Sequence, residues 1–255
     1  ISYMKPGSPL YIEVHKSLFP PESEVYGDFN RFFIRSAKNP ARILAEGTEI
    51  LSLDYTEHLF YLICHAYKHF LHSGFGIRQV CDIIMYSNMY GEKINWQLLL
   101  GWCREIHGEF FSAALFKIGK KYLIFDEKKA CFPEEWSKIK VDESLLLRDI
   151  LDAGVYGYEG RERRHSSNLT LNEVSRQWNG ERKNPVLQTI FPSLKSMKNE
   201  FAFLKKIPFL LPAAWLIRIL RYEKEMRKNA HKNVTDALKI GNRRIELMRK
   251  YKIIE

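Results

Sequence analysis

The chain has 255 residues, 45% of them hydrophobic and 13% aromatic, and a formal net charge of +10. That apolar content supports a packed core and excludes a wholly disordered chain. No Walker A loop, nucleophile elbow or dinucleotide fingerprint occurs, which sets aside P-loop enzymes, serine hydrolases and Rossmann dehydrogenases.

The charge is segregated. Residues 1–194 hold 24 Lys and Arg against 24 Asp and Glu, whereas residues 195–255 hold 16 against 6. A basic surplus confined to one end attracts phosphates, nucleic acid or anionic lipid. Cys64, Cys81, Cys103 and Cys131 form no CxxC pair, so a reduced, cytoplasmic setting is expected. The longest apolar run, residues 207–217, contains Pro208 and Pro212 and is too short to span a bilayer, which takes roughly 20 residues.

In chain order, residues 1–19 read as two strands around the turn formers of residues 5–9. Leu10, Ile12 and Val14 alternate with Tyr11, Glu13 and His15. Residues 22–50 read as loop and short elements, with a possible helical turn at residues 40–44. A helical period begins near Ser52, with Asp54 as N-cap and Glu57 at capping-box spacing. Four helices are predicted: to about Leu71, from Ile77 to about Tyr90, from after Asn95 to about Ile106, and from about Phe110 to Leu123. Residues 154–184 read as a long loop whose Gly/Tyr-rich start and Arg161–His165 run suit a substrate lid. Residues 185–255 read as a helical extension, ending in a long basic helix with a stripe through Ile219, Met226, Ala230, Val234, Ala237, Gly241, Ile245 and Met248. The fold class expected is α+β, mostly α: short antiparallel strands in residues 1–50, a helical bundle in 51–153, the loop, and the extension.

Two constellations carry chemistry. Glu13, with His15 beside it on one strand face, is a carboxylate of the kind that holds Mg²⁺. His65 and His69 share a helix face, Lys68 stands near that helix's end, and Arg78 opens the next helix across a glycine turn. Lys68 and Arg78 would converge on an anion such as a triphosphate, with Asp82 one turn on to orient Arg78. The plain alternative is a polar network of a helix hairpin.

The order of "YIEVHKSLFP", "LSLDYTEHLFYLICHAYKHFLHSGFGIRQVCDI", "INWQLLL", "GVYG" and "FPSLKSMKNEFAFLKKIPFLLPAAWLIRILR" resembles an uncharacterised bacterial nucleotidyltransferase family of the polymerase-beta-like superfamily. The resemblance implies a sheet core followed by a helical domain, Mg²⁺ as cofactor and a nucleoside triphosphate as substrate. It places Glu13 at the third carboxylate of the metal site, with His15 and Asp82 as supports, and Lys68, Arg78, His65 and His69 at the nucleotide. The acidic-x-acidic pair that precedes this strand in the family has no match here, since no Asp-x-Asp occurs. The chain therefore reads as lacking the family's N-terminal part. With that pair upstream the protein is a transferase to an unknown acceptor. Without it, the protein is a binding module whose basic C-terminal helix meets nucleic acid, an anionic membrane or an acidic protein.

Overall fold

A computed structural model of the protein describes residues 2–4, 7, 11–19, 27–155, 161–178, 191–227 and 234–255. The fold is mostly helical with short antiparallel strands, the class the sequence implies. Strands β1 (Ser2–Met4) and β2 (Tyr11–Glu13) pair antiparallel, Ser2 opposite Glu13 and Met4 opposite Tyr11. A 3-10 turn at Phe29–Phe33 leads into α1 (Ile34–Lys38).

Residues 40–44, expected as a helical turn, instead start a second hairpin. β3 (Ala41–Ala45) pairs with β4 (Thr48–Ser52), Ile43 opposite Ile50. The two-residue loop Glu46-Gly47 sits at φ +48° and +79°, and a tight hairpin loop demands such positive φ values. Glutamate is a poor sequence marker for that conformation, so the turn signal is muted. Both faces of the hairpin are wet: Leu44 is 77% exposed.

The bundle begins at α2 (Tyr55–His72). Asp54 caps it, its Oδ1 accepting from the Glu57 N–H at 2.8 Å. The reciprocal half of the expected capping box is replaced: the Asp54 N–H donates to Ser36 Oγ at 3.1 Å, releasing the Glu57 carboxylate. Leu59, Phe60, Ile63, Ala66, Tyr67 and Phe70 of α2 are fully buried, so this helix is the centre of the core. Around it stand α3 (Ile77–Tyr90), α4 (Trp96–Glu105), α5 (Glu109–Tyr122), the short α6 (Glu134–Ser137) and α7 (Ser144–Ala153). The first four of the helices predicted after Ser52 are α2 to α5.

Residues 161–178, expected within a loop, form helix α8 (Arg161–Trp178). The residues it buries include Ser166, Leu169, Thr170, Glu173 and Val174, at helical spacing. Three of these five are polar, so the apolar period that marks a helix is hidden. Helices α9 (Leu194–Glu200) and α10 (Leu211–Arg227) follow. Met197, Phe201, Leu204 and Ala214 form a small cluster separate from the main core. The basic C-terminal stretch ends in α11 (Val234–Lys250), which buries Gly241, Ile245 and Met248 of the expected stripe, whereas Ile219 of α10 is exposed and residues 228–233 lie outside the described ones.

Helix α11 packs along α8, and α8 against α2. A Cβ on Gly241 would come within 2.7 Å of Leu169 Cδ2, so these helices approach as closely as glycine permits. The free carbonyls at the end of α2 are taken up from both helices. Thr170 Oγ1 donates to Leu71 O at 3.0 Å, Arg244 Nη1 donates to His72 O at 2.6 Å, and Arg244 Nη2 donates to Phe70 O.

Candidate functional site

The α2–α3 turn shapes a pocket. Ser73 and Gly74 N–H both donate to His69 O, at 3.0 and 2.8 Å, and Gly74 takes φ +106° to turn the chain. Gly76 has no side chain with which to cap α3. The Gln79 side chain folds back instead, its Oε1 accepting from the Gly76 N–H at 2.9 Å. The Arg78 N–H donates to Val155 O at 3.4 Å, so the first residues of the Gly/Tyr segment lie against the start of α3. Tyr156–Gly160 and the side chains of Arg161–His165, expected as lid, lie outside the described residues.

Leu62 and His65 of α2, with Arg78, Gln79 and Asp82 of α3, line a pocket of about 270 Å³. Three residues singled out in the sequence thus share one cavity. Arg78 and Asp82 are exposed at its edge and His65 is half-buried. Leu62 and Gln79 were not anticipated. Gln79 is marked in the sequence only by lying three residues after a helix-opening glycine. His69 joins through His65: their Nε2 atoms are 3.3 Å apart, so one ring donates to the other. Lys68 does not line the pocket, but its charge is felt at His65.

Burial, then His69, then Lys68 push the His65 pKa down from 6.5 to about 4. His65 is therefore a neutral ring at pH 7. It can give or take a hydrogen bond but brings no charge to a phosphate. Cationic attraction at this site falls to Arg78 and Lys68.

Glu13 stands at the end of β2, and its side chain lies outside the described residues. The chain that follows it is anchored next to the pocket. Phe19 is buried, exchanging hydrogen bonds with the Asn30 side chain at 3.0 and 2.9 Å. Its ring lies 5.7 Å from Tyr61, and Tyr61 stacks on His65 at 6.0 Å. His15 is exposed.

Among the described residues, no group of three His, Cys, Asp or Glu side chains is arranged to hold a metal ion. The cysteines suggest no redox centre. Cys64 and Cys103 are buried, with burial raising both pKa values, that of Cys103 to about 12. Among the described residues no helix is long and apolar enough to cross a membrane.

A second cavity, of about 640 Å³, opens on the other side of α2 between α1 and α4. Arg31, Phe32, Arg35, Lys38, Glu57 and Trp102 are among its lining. Glu57 is 1% exposed, and its Oε2 has no hydrogen-bond partner. The sequence carries no signal for this cavity, because the spacing of Asp54 and Glu57 is that of a capping box.

No curated protein and no solved structure was found to match the chain. Residues 2–118, which hold both hairpins, helices α2 to α4, most of α5 and every residue lining the smaller pocket, match the model of the family described as uncharacterised nucleotidyltransferase.

Proposed function

We propose that the protein takes part in nucleotidyl transfer from a nucleoside triphosphate to an acceptor, and that the pocket between α2 and α3 receives the phosphates. The observation that carries this reading is the position of Arg78. It lines a cavity inside the matched stretch that it shares with His65, a histidine held neutral. A guanidinium offers two parallel donors to a phosphate, and Lys68 adds charge from the neighbouring turn. His65 donates or accepts one directed hydrogen bond, and Gln79 is fixed by its cap and keeps the rim of α3 in place.

Glu13 is the carboxylate of this chain assigned to Mg²⁺, an ion that favours oxygen ligands and accompanies nucleoside triphosphates. Support comes from the chain path. Phe19, six residues on, lies against Tyr61, whose ring stacks on His65, and six residues reach at most about 20 Å. Among the described residues, which do not include the Glu13 side chain, no three-ligand group stands ready for the ion.

The test is titration of the protein with a non-hydrolysable nucleoside triphosphate, followed by calorimetry. Arg78→Ala is expected to weaken binding by about tenfold or more, as loss of a charge-assisted bidentate contact does. Lys68→Ala should weaken it less. Unchanged affinity in Arg78→Ala removes the phosphates from this pocket. Glu13→Gln is expected to abolish transfer while leaving nucleotide binding measurable, and wild-type transfer rates in that variant would remove Glu13 from the reaction.

A further inference from the structure

The last quarter of the chain carries the basic surplus. Arg244, in the C-terminal helix, is 1% exposed and spends its charge inside the protein. The surface that does stand out lies earlier, in residues 205–221. Helix α10 turns Ala214 inward, with Leu211 and Trp215, onto Met197, Phe201 and Leu204. Trp215 Nε1 donates to Pro192 O at 3.0 Å, fixing that face inward.

The other face is apolar and uncovered. Leu216 is 58% exposed and Leu220 53%, and Ile217 and Ile219 beside them are also exposed. Phe209, in the 3-10 turn Pro208–Leu210 just before the helix, is 80% exposed, with Ile207 and Leu210 next to it. A run of large aliphatic and aromatic side chains left in water is costly, and it marks a surface meant to be covered. The run is studded with cations, Lys205, Lys206 and Arg221, with no Asp or Glu between Phe201 and Arg221; Arg218 is half-buried and pairs with Glu200 at 3.8 Å. Lys205, Lys206 and Arg221 are exposed, and Arg221 lies 5.1 Å over the Phe201 ring at the edge of the apolar face.

We propose that residues 205–221 dock onto an anionic lipid surface, with Phe209, Leu216 and Leu220 entering the headgroup boundary and the cations meeting lipid phosphates. Apolar side chains between basic ones are the pattern of a helix lying in a membrane interface. Nucleic acid fits less well, because Leu216, Ile217 and Leu220 gain nothing from a phosphate backbone and within residues 205–221 only Phe209 offers an exposed ring for stacking. A second copy would set the same cations against one another. The proposal is independent of the nucleotide reading.

The full chain is sedimented with vesicles of phosphatidylcholine alone and of phosphatidylcholine with phosphatidylserine. Binding is expected to the mixed vesicles, to weaken about tenfold in pure phosphatidylcholine, and to fall as salt screens the cations. Phe209→Ser combined with Leu216→Ser should lower partitioning about tenfold with an unchanged far-ultraviolet spectrum, since both side chains face water. Lys205→Glu with Lys206→Glu should abolish the preference for phosphatidylserine. The proposal is overturned by absent binding to mixed vesicles at low salt, or by equal binding to both vesicle types. It also falls if single-stranded RNA binds more tightly than the vesicles, or if sedimentation equilibrium shows a dimer that Phe209→Ser dissociates while vesicle binding is unaltered.

Discussion

Arg244 and Asp149 form an ion pair inside the protein, Nε to Oδ1 at 3.9 Å, with side chains only 1% and 6% exposed. The pair ties α11 to α7 at the point where Arg244 also closes the end of α2. A charge so deeply placed is tolerated because the two α2 carbonyls and the carboxylate together replace its water.

Removing the guanidinium strands those partners. Arg244→Leu is expected to lower stability by about 3–5 kcal/mol, read as a shifted urea midpoint, the range seen when one member of a buried ion pair is deleted. The double variant Arg244→Met with Asp149→Asn should recover part of the loss, because it also removes the orphaned negative charge. Hydrogen exchange at Ser73 and Gly74 should accelerate in the single variant, since the α2 terminus loses its brace.

Glu57 makes the opposite prediction. Burial, reinforced by Asp54, raises its pKa above 4.5, against the lowering effect of Ser36 and Arg35. A carboxyl whose pKa is higher folded than unfolded favours the folded state when protonated, and that contribution is lost as pH rises through the raised value. Glu57→Gln should therefore raise the melting temperature by a few degrees at pH 7, with the gain shrinking as pH falls toward 4.5. A calorimetric pH series checks the sign.

His65 gives the complementary pH signature. Its pKa falls from 6.5 to about 4 on folding, so the unfolded chain takes up a proton in that interval and the folded chain does not. This group contributes stability above pH 6.5 that is lost as pH falls from 6.5 to about 4. Imidazole resonances of His65 should show no titration above about pH 5. Bound nucleoside triphosphate should move the midpoint upward, as negative charge beside the ring favours the imidazolium.

Gly91 tests packing rather than charge. A Cβ there would overlap the backbone of Ala130, where no side chain can give way. Gly91→Ala is expected to cost about 3 kcal/mol, the upper part of the overpacking range, in chemical denaturation. Gly101, with open space around its Cβ direction, is the control that should tolerate alanine.

Helices α2 to α5 were legible because each carries a clear apolar period between recognisable stops, such as Asp54 before α2 and Gly91 after α3. The smaller pocket was half legible. His65, Arg78 and Asp82 announce themselves by type and spacing across one short turn, so local geometry alone brings them close. Gln79 was hidden because its role depends on Gly76 lacking a side chain. The β3–β4 hairpin was missed at Glu46, a residue that seldom marks a tight turn, and α8 was missed because Ser166, Thr170 and Glu173 interrupt its buried stripe.

By itself the sequence determined the elements whose signal is local: a period, a cap, a glycine stop. Tertiary structure decided the destination of side chains whose partners lie far along the chain. It sent Arg244 inward to carbonyls 172 and 174 residues away, and took Glu57 out of its cap in favour of Ser36. It also left the aliphatic face of α10 in water. A charge or a leucine in a sequence carries no record of which surface it will meet, because that depends on how elements stack, and stacking is settled by long-range burial rather than by neighbours in the chain.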